Sequence, residues 1–229
     1  MNKTKLGGIF YPTVDQSGNE IPFDSLYIPA IYNEIWNEGV YLDILNQKKD
    51  MTIIDVGSNI GITVHHFLPY AKKIYAIEPS PEHFAALSKN KEFNNWDKVE
   101  VFNLALADKD GEMEFHQSPK NRTTNQLIQG QQVSQGWYNE EVLKVKTQSI
   151  DHFFEENKIK HVDFMKFDPE GAEDLILRSD GFKKIADKVD ALEVEFHYPT
   201  WRELVDYLIL MGYKARQYDS SAKIVLFFR

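Results

Sequence analysis

Cysteine is absent from all 229 residues. That excludes disulfide frameworks, thiolate nucleophiles and cysteine-bound zinc or iron–sulfur centres together. No apolar run approaches the roughly 18 residues a membrane-spanning helix requires. The opening MNKTKLGGIFYP has two lysines but no apolar segment behind them, so no secretory signal is expected. There is no block of lysine or arginine either. The 26 basic residues stand against 35 acidic ones, for a formal net charge of −9. Tight binding to a nucleic-acid backbone is not expected, although a small cationic pocket is compatible with that balance. What is present is ordinary globular composition, 42% hydrophobic and 27% charged, which argues against disorder, collagen and a pure coiled coil. The expectation is an acidic cytoplasmic protein of α/β or α+β class, with one full core or two very small ones.

Neither an internal repeat nor a true linker is visible. Residues 1–50 read as an extension packing on the core: a turn-rich start with a short hairpin, then an amphipathic helix over 27–46 broken near Gly39. From residue 51 strands and helices alternate. Thr52–Val56 is a short apolar run ending in glycine, as a buried parallel strand would be. A helix follows over 61–70, then a strand over 73–77. Ser80-Pro81 sets a capping residue before a first-turn proline, opening a helix to about Asn94. Further strands are expected over 99–106, 112–116, 142–146, 162–167 and 191–196. Short helices are expected from Ser149 to Phe154 and from Ala172 to Arg178. Thr200-Trp-Arg-Glu203 reads as a capping box, and Gly212 closes that helix. Strands over 213–218 and 223–228 have no helix between them, so one must run antiparallel. Residues 117–140 are rich in Gln, Asn, Ser and Thr and read as a polar insert, a long loop or ragged hairpin near the acceptor side of a site. The alternation predicts a mostly parallel, Rossmann-like α/β sheet with helices on both faces and an antiparallel C-terminal hairpin.

The first strand runs into Asp55-Val-Gly57-Ser58-Asn59-Ile-Gly61. Gly57 permits a tight turn and Gly61 a close approach of helix and sheet. Free N–H groups and the helix end are expected to form a polar cradle. Glu78 ends the next strand, 17 residues after Gly61. A carboxylate there can accept hydrogen bonds from both hydroxyls of a ribose. The third glycine of a dinucleotide fingerprint is missing.

Asp-x-Gly-x-x-x-Gly resembles the first motif of class I S-adenosylmethionine-dependent methyltransferases. Four stretches together resemble the FkbM-type methyltransferases: Ile53–Gly61; Tyr75–Phe84 with Leu87 and Asn90; Leu104–Asp108 with Gly111; and Asp163-Phe-Met-Lys166-Phe-Asp168-Pro-Glu170-Gly171-Ala-Glu173. Their order and spacing match over residues 51–197. The last stretch is the most specific. Ser58 stands where alanine is usual, and Pro169 where an aliphatic residue is usual. The resemblance implies a seven-stranded methyltransferase sheet over 51–229 with S-adenosyl-L-methionine as cofactor. It places Asp55, Gly57, Ser58, Asn59, Gly61, Glu78, Ala105 and Leu106 against that cofactor.

An alcohol acceptor profits from a base within hydrogen-bond reach. Asp168, at the carboxyl end of a central strand, is the first candidate for that proton. Alternation puts Lys166 on the same strand face, where it would pair with a carboxylate. Glu170-Gly171 is expected to open the next helix, with Glu173 one turn on as a cap. His197 ends Glu193-Val-Glu195-Phe-His197 and is a second candidate base, with activity then rising through about pH 6–7. Glu170 completes the catalytic candidates. Lys166, Glu195, Trp137 and Tyr138 are the substrate-side candidates. Asp168, Glu195 and His197 could also hold a divalent ion, but the Asp-Asn pair usual in metal-assisted methylation is missing and no metal is expected. The expected partner is a small-molecule or glycan acceptor, or a peptide, with no nucleic acid and no membrane. The leading reading is O-methylation of a sugar or secondary metabolite. N-methylation of an amide or amine is the alternative. A non-catalytic binding module is the third, disfavoured by the intact Asp55, Gly57, Gly61 and Glu78 set.

Overall fold

The computed structural model describes residues 3–6, 9–12, 33, 35, 41–45, 48–117, 126–127, 141–219 and 223–229. Most of the polar insert, including Trp137 and Tyr138, and most of the expected 27–46 helix lie outside the described residues. So do the residues linking the last two strands. Among the described residues no helix is long and apolar enough to cross a membrane.

The chain divides into two compact units, Met1–Asn103 and Leu104–Arg229. The first opens with β1 (Lys3–Leu6) and β2 (Ile9–Pro12), paired antiparallel, followed by α1 (Leu42–Leu45). Strand β3 (Met51–Val56) is buried along its whole length, as its unbroken apolar pattern requires of a strand covered on both faces. Helix α2 (Ile62–Phe67) leads to β4 (Ala71–Ile77), which pairs parallel to β3. Helix α3 (Pro81–Asn94) begins as its sequence predicts: Ser80 caps it by accepting the His83 N–H, and Pro81 fills the first position. Strand β5 (Val99–Phe102) pairs parallel to β4.

The single strand expected over 99–106 is in fact two. The chain breaks at Asn103, whose side-chain amide donates to the carbonyls of Glu78 and Pro79, at 2.9 and 3.0 Å. Strand β6 (Ala105–Ala107) then joins a different sheet. That sheet holds β7 (Gly111–Gln117), β8 (Gln126–Leu127) and β9 (Glu141–Ser149) in the order β6-β9-β7-β8. The two extra strands read from the sequence are therefore the long antiparallel pair β7–β9.

The second unit continues with α4 (Ile150–Glu156), β10 (Phe164–Phe167), α5 (Glu173–Leu177), α6 (Asp180–Ile185), β11 (Ala191–Glu195), α7 (Trp201–Leu210), β12 (Lys214–Asp219) and β13 (Ile224–Phe228). Seven strands form one sheet in the order β12-β13-β11-β10-β3-β4-β5. Strand β13 runs antiparallel between β11 and β12, and β10–β11, β3–β4 and β4–β5 are parallel. The fold is thus the mostly parallel α/β sheet with an antiparallel C-terminal end that the alternation predicts. Phe164, Phe167, Phe182 and Phe227 are fully buried in the second unit, and Ile53, Ile54 and Phe67 in the first.

The Thr200 capping box does not form. Thr200 sits at φ −86°, ψ 14° with no side-chain cap, outside the extended conformation a capping hydroxyl needs. Gly212, at φ 96°, does end α7: its N–H reaches Ile209 O and the Tyr213 N–H reaches Leu208 O.

Candidate functional site

The loop after β3 is built by three left-handed residues, Gly57, Asn59 and Gly61, at φ 77°, 50° and 94°. These turns fold the loop onto its own neighbours. The N–H groups of Gly57 and Ser58 both donate to Ile77 O at 3.0 Å, and the Gly61 N–H donates to Ser58 O at 2.9 Å. The Asn59 N–H donates to Glu78 Oε2 at 2.8 Å, and the Ser80 N–H to Glu78 Oε1 at 2.8 Å. The expectation of free N–H groups in a cradle is corrected for these four: each already has an acceptor. The loop therefore has little to offer a phosphate, which binds through free N–H donors.

Asp55 is fully buried, and its Oδ2 accepts the Thr63 hydroxyl at 2.6 Å, fastening the end of β3 to α2. Ser58 is buried as well and donates to the Asp55 carbonyl at 2.8 Å. Gly61 does meet close neighbours, but on α3 and beyond rather than on the sheet. A Cβ there would stand 2.7 Å from Leu87 Cδ1 and 3.0 Å from the Trp96 ring. Asn90 closes the same corner by donating to Ile60 O at 2.7 Å. Glu78 remains 96% buried, with its carboxylate held at the loop. Each of its oxygens accepts one backbone N–H, so the carboxylate is fixed at the mouth of both loops. Ala105 and Leu106 are buried in β6, in the second unit.

The second unit gathers the other predicted residues at the ends of β10 and β11. Lys166 is buried, and its ammonium lies 3.1 Å from Asp168 Oδ2, as strand alternation predicts. Beyond Asp168, Glu170 and Gly171 are consecutive left-handed residues, at φ 52° and 103°. They precede α5 rather than open it, and Glu173 is the first residue of the helix. A side chain at 171 would press on the Tyr198 hydroxyl, 3.1 Å from a Cβ there.

His197 lies two residues beyond β11 and is ringed by carboxylates. Its Nδ1 is 2.7 Å from Glu173 Oε1, which also accepts the Gly171 N–H at 2.9 Å. Its Nε2 is 3.3 Å from Glu170 Oε2 and 3.8 Å from Asp168 Oδ1 and from Glu195 Oε1. Burial by itself lowers the affinity of this imidazole for a proton. The Glu173 hydrogen bond and the charges of Asp168, Glu173 and Glu170 outweigh it, and the His197 pKa is pushed up to about 10. Burial chiefly, with the neighbouring Asp168 charge, raises Glu170 to about 9. At neutral pH both hold their protons. A limb at pH 6–7 from an unperturbed His197 is therefore no longer expected, because that imidazole is not unperturbed.

One ligand atom each from Asp168, Glu170 and His197 lies within 4.8 Å of the others. The Lys166 ammonium pairs with Asp168 at the edge of the same group. Sequence reasoning missed the role of Glu173. Its position at a helix start has a sufficient explanation in capping, and its partner lies 24 residues away. Its only sequence signal is the Glu-Gly-Ala-Glu spacing.

Comparison with known proteins agrees with this architecture. A family model for the methyltransferase FkbM domain matches residues 55–216. "Methyltransferase 1" of Beauveria bassiana is 28% identical over 176 residues, covering 69% of each chain. "2-O-methyltransferase NoeI" of Sinorhizobium fredii is 24% identical over 144 residues, covering 58% of each. The crystal structure of a methyltransferase FkbM from Methylobacillus flagellatus superimposes with a TM-score of 0.54 at 14% identity. That match covers 90% of this chain and 56% of the solved one, and its low identity speaks for the fold.

Proposed function

The chain belongs to the methyltransferase FkbM domain family, and from that premise we propose that it methylates a hydroxyl of a sugar or secondary metabolite with S-adenosylmethionine. The observation that carries the cofactor reading is the loop fastened to Glu78. Its engaged N–H groups suit a cofactor without phosphates, and Glu78, fixed at the end of the second parallel strand, stands where a carboxylate meets a ribose diol. Glu78, Asn59 and the backbone around Gly57 would hold the adenosine and amino-acid parts. The bound cofactor supplies an electrophilic methyl on a sulfonium. The domain we assign to this chemistry is 51–229, with 1–50 as an extension, and its place is the cytoplasm.

This chain's own residues handle the acceptor and its proton. With the cofactor and acceptor in place, the acceptor's hydroxyl proton would pass to Asp168, which Lys166 holds in position. The imidazolium of His197 and the protonated Glu170 donate hydrogen bonds that orient the acceptor. Oxygen as the accepting atom is supported by the Sinorhizobium relative, named as a 2-O-methyltransferase. The test is incubation with cofactor labelled in its methyl group and an extract of the host, followed by location of the label. A methyl ether is expected. Label on nitrogen would give N-methylation instead. Failure to bind S-adenosylmethionine or its demethylated product by calorimetry would overturn the cofactor reading.

A further inference from the structure

We propose that Glu173 is the positioning residue of the acceptor cluster: anchored by the Gly171 N–H, its carboxylate fixes the His197 ring with Nδ1 inward and Nε2 turned to Asp168, Glu170 and Glu195. This inference rests on the functional reading above for its catalytic consequence, but its geometry stands alone.

Three observations carry it. Glu173 is 99% buried, so its carboxylate is not an ordinary helix-end charge in water. Its Oε1 takes two hydrogen bonds, from Gly171 N–H at 2.9 Å and from His197 Nδ1 at 2.7 Å. The first of these exists because Glu170 and Gly171 are both left-handed, a turn that aims the Gly171 N–H at the helix start. A Cβ at Gly171 would meet the Tyr198 hydroxyl at 3.1 Å, a tight contact on a left-handed backbone that already favours glycine. The segment Glu170-Gly171-Ala172-Glu173 is thus one device, a turn that points a carboxylate at the histidine 24 residues on.

The consequence concerns how the doubly protonated ring is held. A carboxylate at Nδ1 takes that N–H and leaves the Nε2–H as the face the acceptor meets. The groups facing that ring are Asp168 after β10, Glu170 and Glu173 from the turn and α5, and Glu195 from the end of β11; Lys166 pairs with Asp168, and the Tyr198 phenol feels the charge of Glu173. Without Glu173 the ring is free to rotate, while the carboxylates on its other side remain.

The experiment uses the whole chain with nitrogen-15 in its histidines. In the wild type, long-range nitrogen–proton spectra should show His197 with a hydrogen-bonded Nδ1–H whose proton exchanges slowly. Glu173→Gln keeps the shape, and its melting temperature should drop, because His197 loses part of what holds its proton in the folded state. It should lose that slow Nδ1 proton, and the His197 titration midpoint should fall by at least roughly one pH unit. Glu173→Asp should restore the signal in part. With an acceptor in hand, Glu173→Gln should lower kcat at least about tenfold, with the KM for cofactor unchanged. A wild-type His197 whose Nδ1 proton exchanges rapidly would overturn the proposal. So would a Glu173→Gln spectrum identical to wild type. Loss of the methyltransferase reading would appear separately, as wild-type protein that binds no S-adenosylmethionine while the spectra behave as described.

Discussion

Glu78 at the end of β4 accepts the backbone N–H of Asn59, 19 residues earlier, so the acid that follows the second parallel strand holds the glycine loop that follows the first. The same carboxylate accepts the Ser80 N–H on its other oxygen. One buried group therefore sets the shape of two adjoining loops.

Replacing Glu78 should thus act on affinity and on loop order together. Glu78→Ala is expected to weaken S-adenosylmethionine binding by roughly 1–3 kcal/mol, because buried donors lose a charged acceptor. Glu78→Gln should lie between, since its amide oxygen can still accept one N–H. Calorimetry checks the affinity, and an unchanged value in Glu78→Ala would remove this residue from the cofactor site.

Gly61→Ala should cost about 2–4 kcal/mol of stability, from the left-handed backbone penalty and from overpacking. The new methyl would stand 2.7 Å from Leu87, on the helix that the loop packs against. Urea unfolding measures the loss. Trimming Leu87 to alanine in the same chain should recover part of the overpacking share but none of the backbone share.

Stability should fall on both sides of about pH 6.5, with opposite groups responsible. Burial lowers His83 to about 4, and burial with the neighbouring His65 charge lowers His66 to about 4. The unfolded chain binds more protons at these two sites between pH 6.5 and 4. Their contribution is complete above 6.5 and is lost as pH falls through 4. His197 and Glu170 are raised, to about 10 and about 9. The folded chain then binds the extra protons, so stability from His197 is lost as pH rises from 6.5 through 10. Glu170 adds to that loss from 4.5 to 9. Unfolding free energies measured from pH 4 to 10 check this, and Glu170→Gln should flatten the alkaline limb. A level profile from pH 7 to 10 in the wild type would mean that the cluster is not protonated.

Asp168→Asn should leave cofactor affinity within about twofold of wild type while cutting turnover by roughly 10²–10⁴, the usual contribution of a positioned base. The amide keeps the shape beside Lys166 and cannot take a proton at neutral pH. Single-turnover kinetics on an identified acceptor give the answer, and near-normal turnover would show that positioning alone suffices.

The parallel strands and the glycine loop were legible because their signals are contiguous. Ile53–Val56 followed by glycine, or Ser80 before Pro81, states its structure within a few residues. What sequence did not show depends on partners far along the chain. The break between β5 and β6 is made by Asn103 bonding to Glu78 and Pro79, at 25 and 24 residues' distance, inside a run whose apolar residues read straight through. Thr200 and Glu203 have the right spacing for a capping box, but Thr200 takes a turn conformation and its carbonyl alone bonds to Glu203 N–H. The site divides in the same way. Asp168 is legible as a strand-end acid and period-two alternation sets Lys166 beside it, whereas Glu173 gains its role only when the fold brings His197 to it. Gly61 was identified correctly as tight, but the neighbour that makes it so is Leu87, which strand–helix reasoning alone does not name.

Strand β12 pairs with β13 at the outer end of the seven-stranded order, and its start, Lys214-Ala215-Arg216, is exposed. An outer strand carries a row of backbone groups that could template another chain. Two cationic side chains within three residues work against that, since a second copy adding here in an antiparallel register would bring like charges together. The sheet is thereby protected against edge-to-edge aggregation at β12. Making Lys214 and Arg216 apolar should turn this edge into a nucleus for oligomers that grow with protein concentration, without altering any residue of the candidate site.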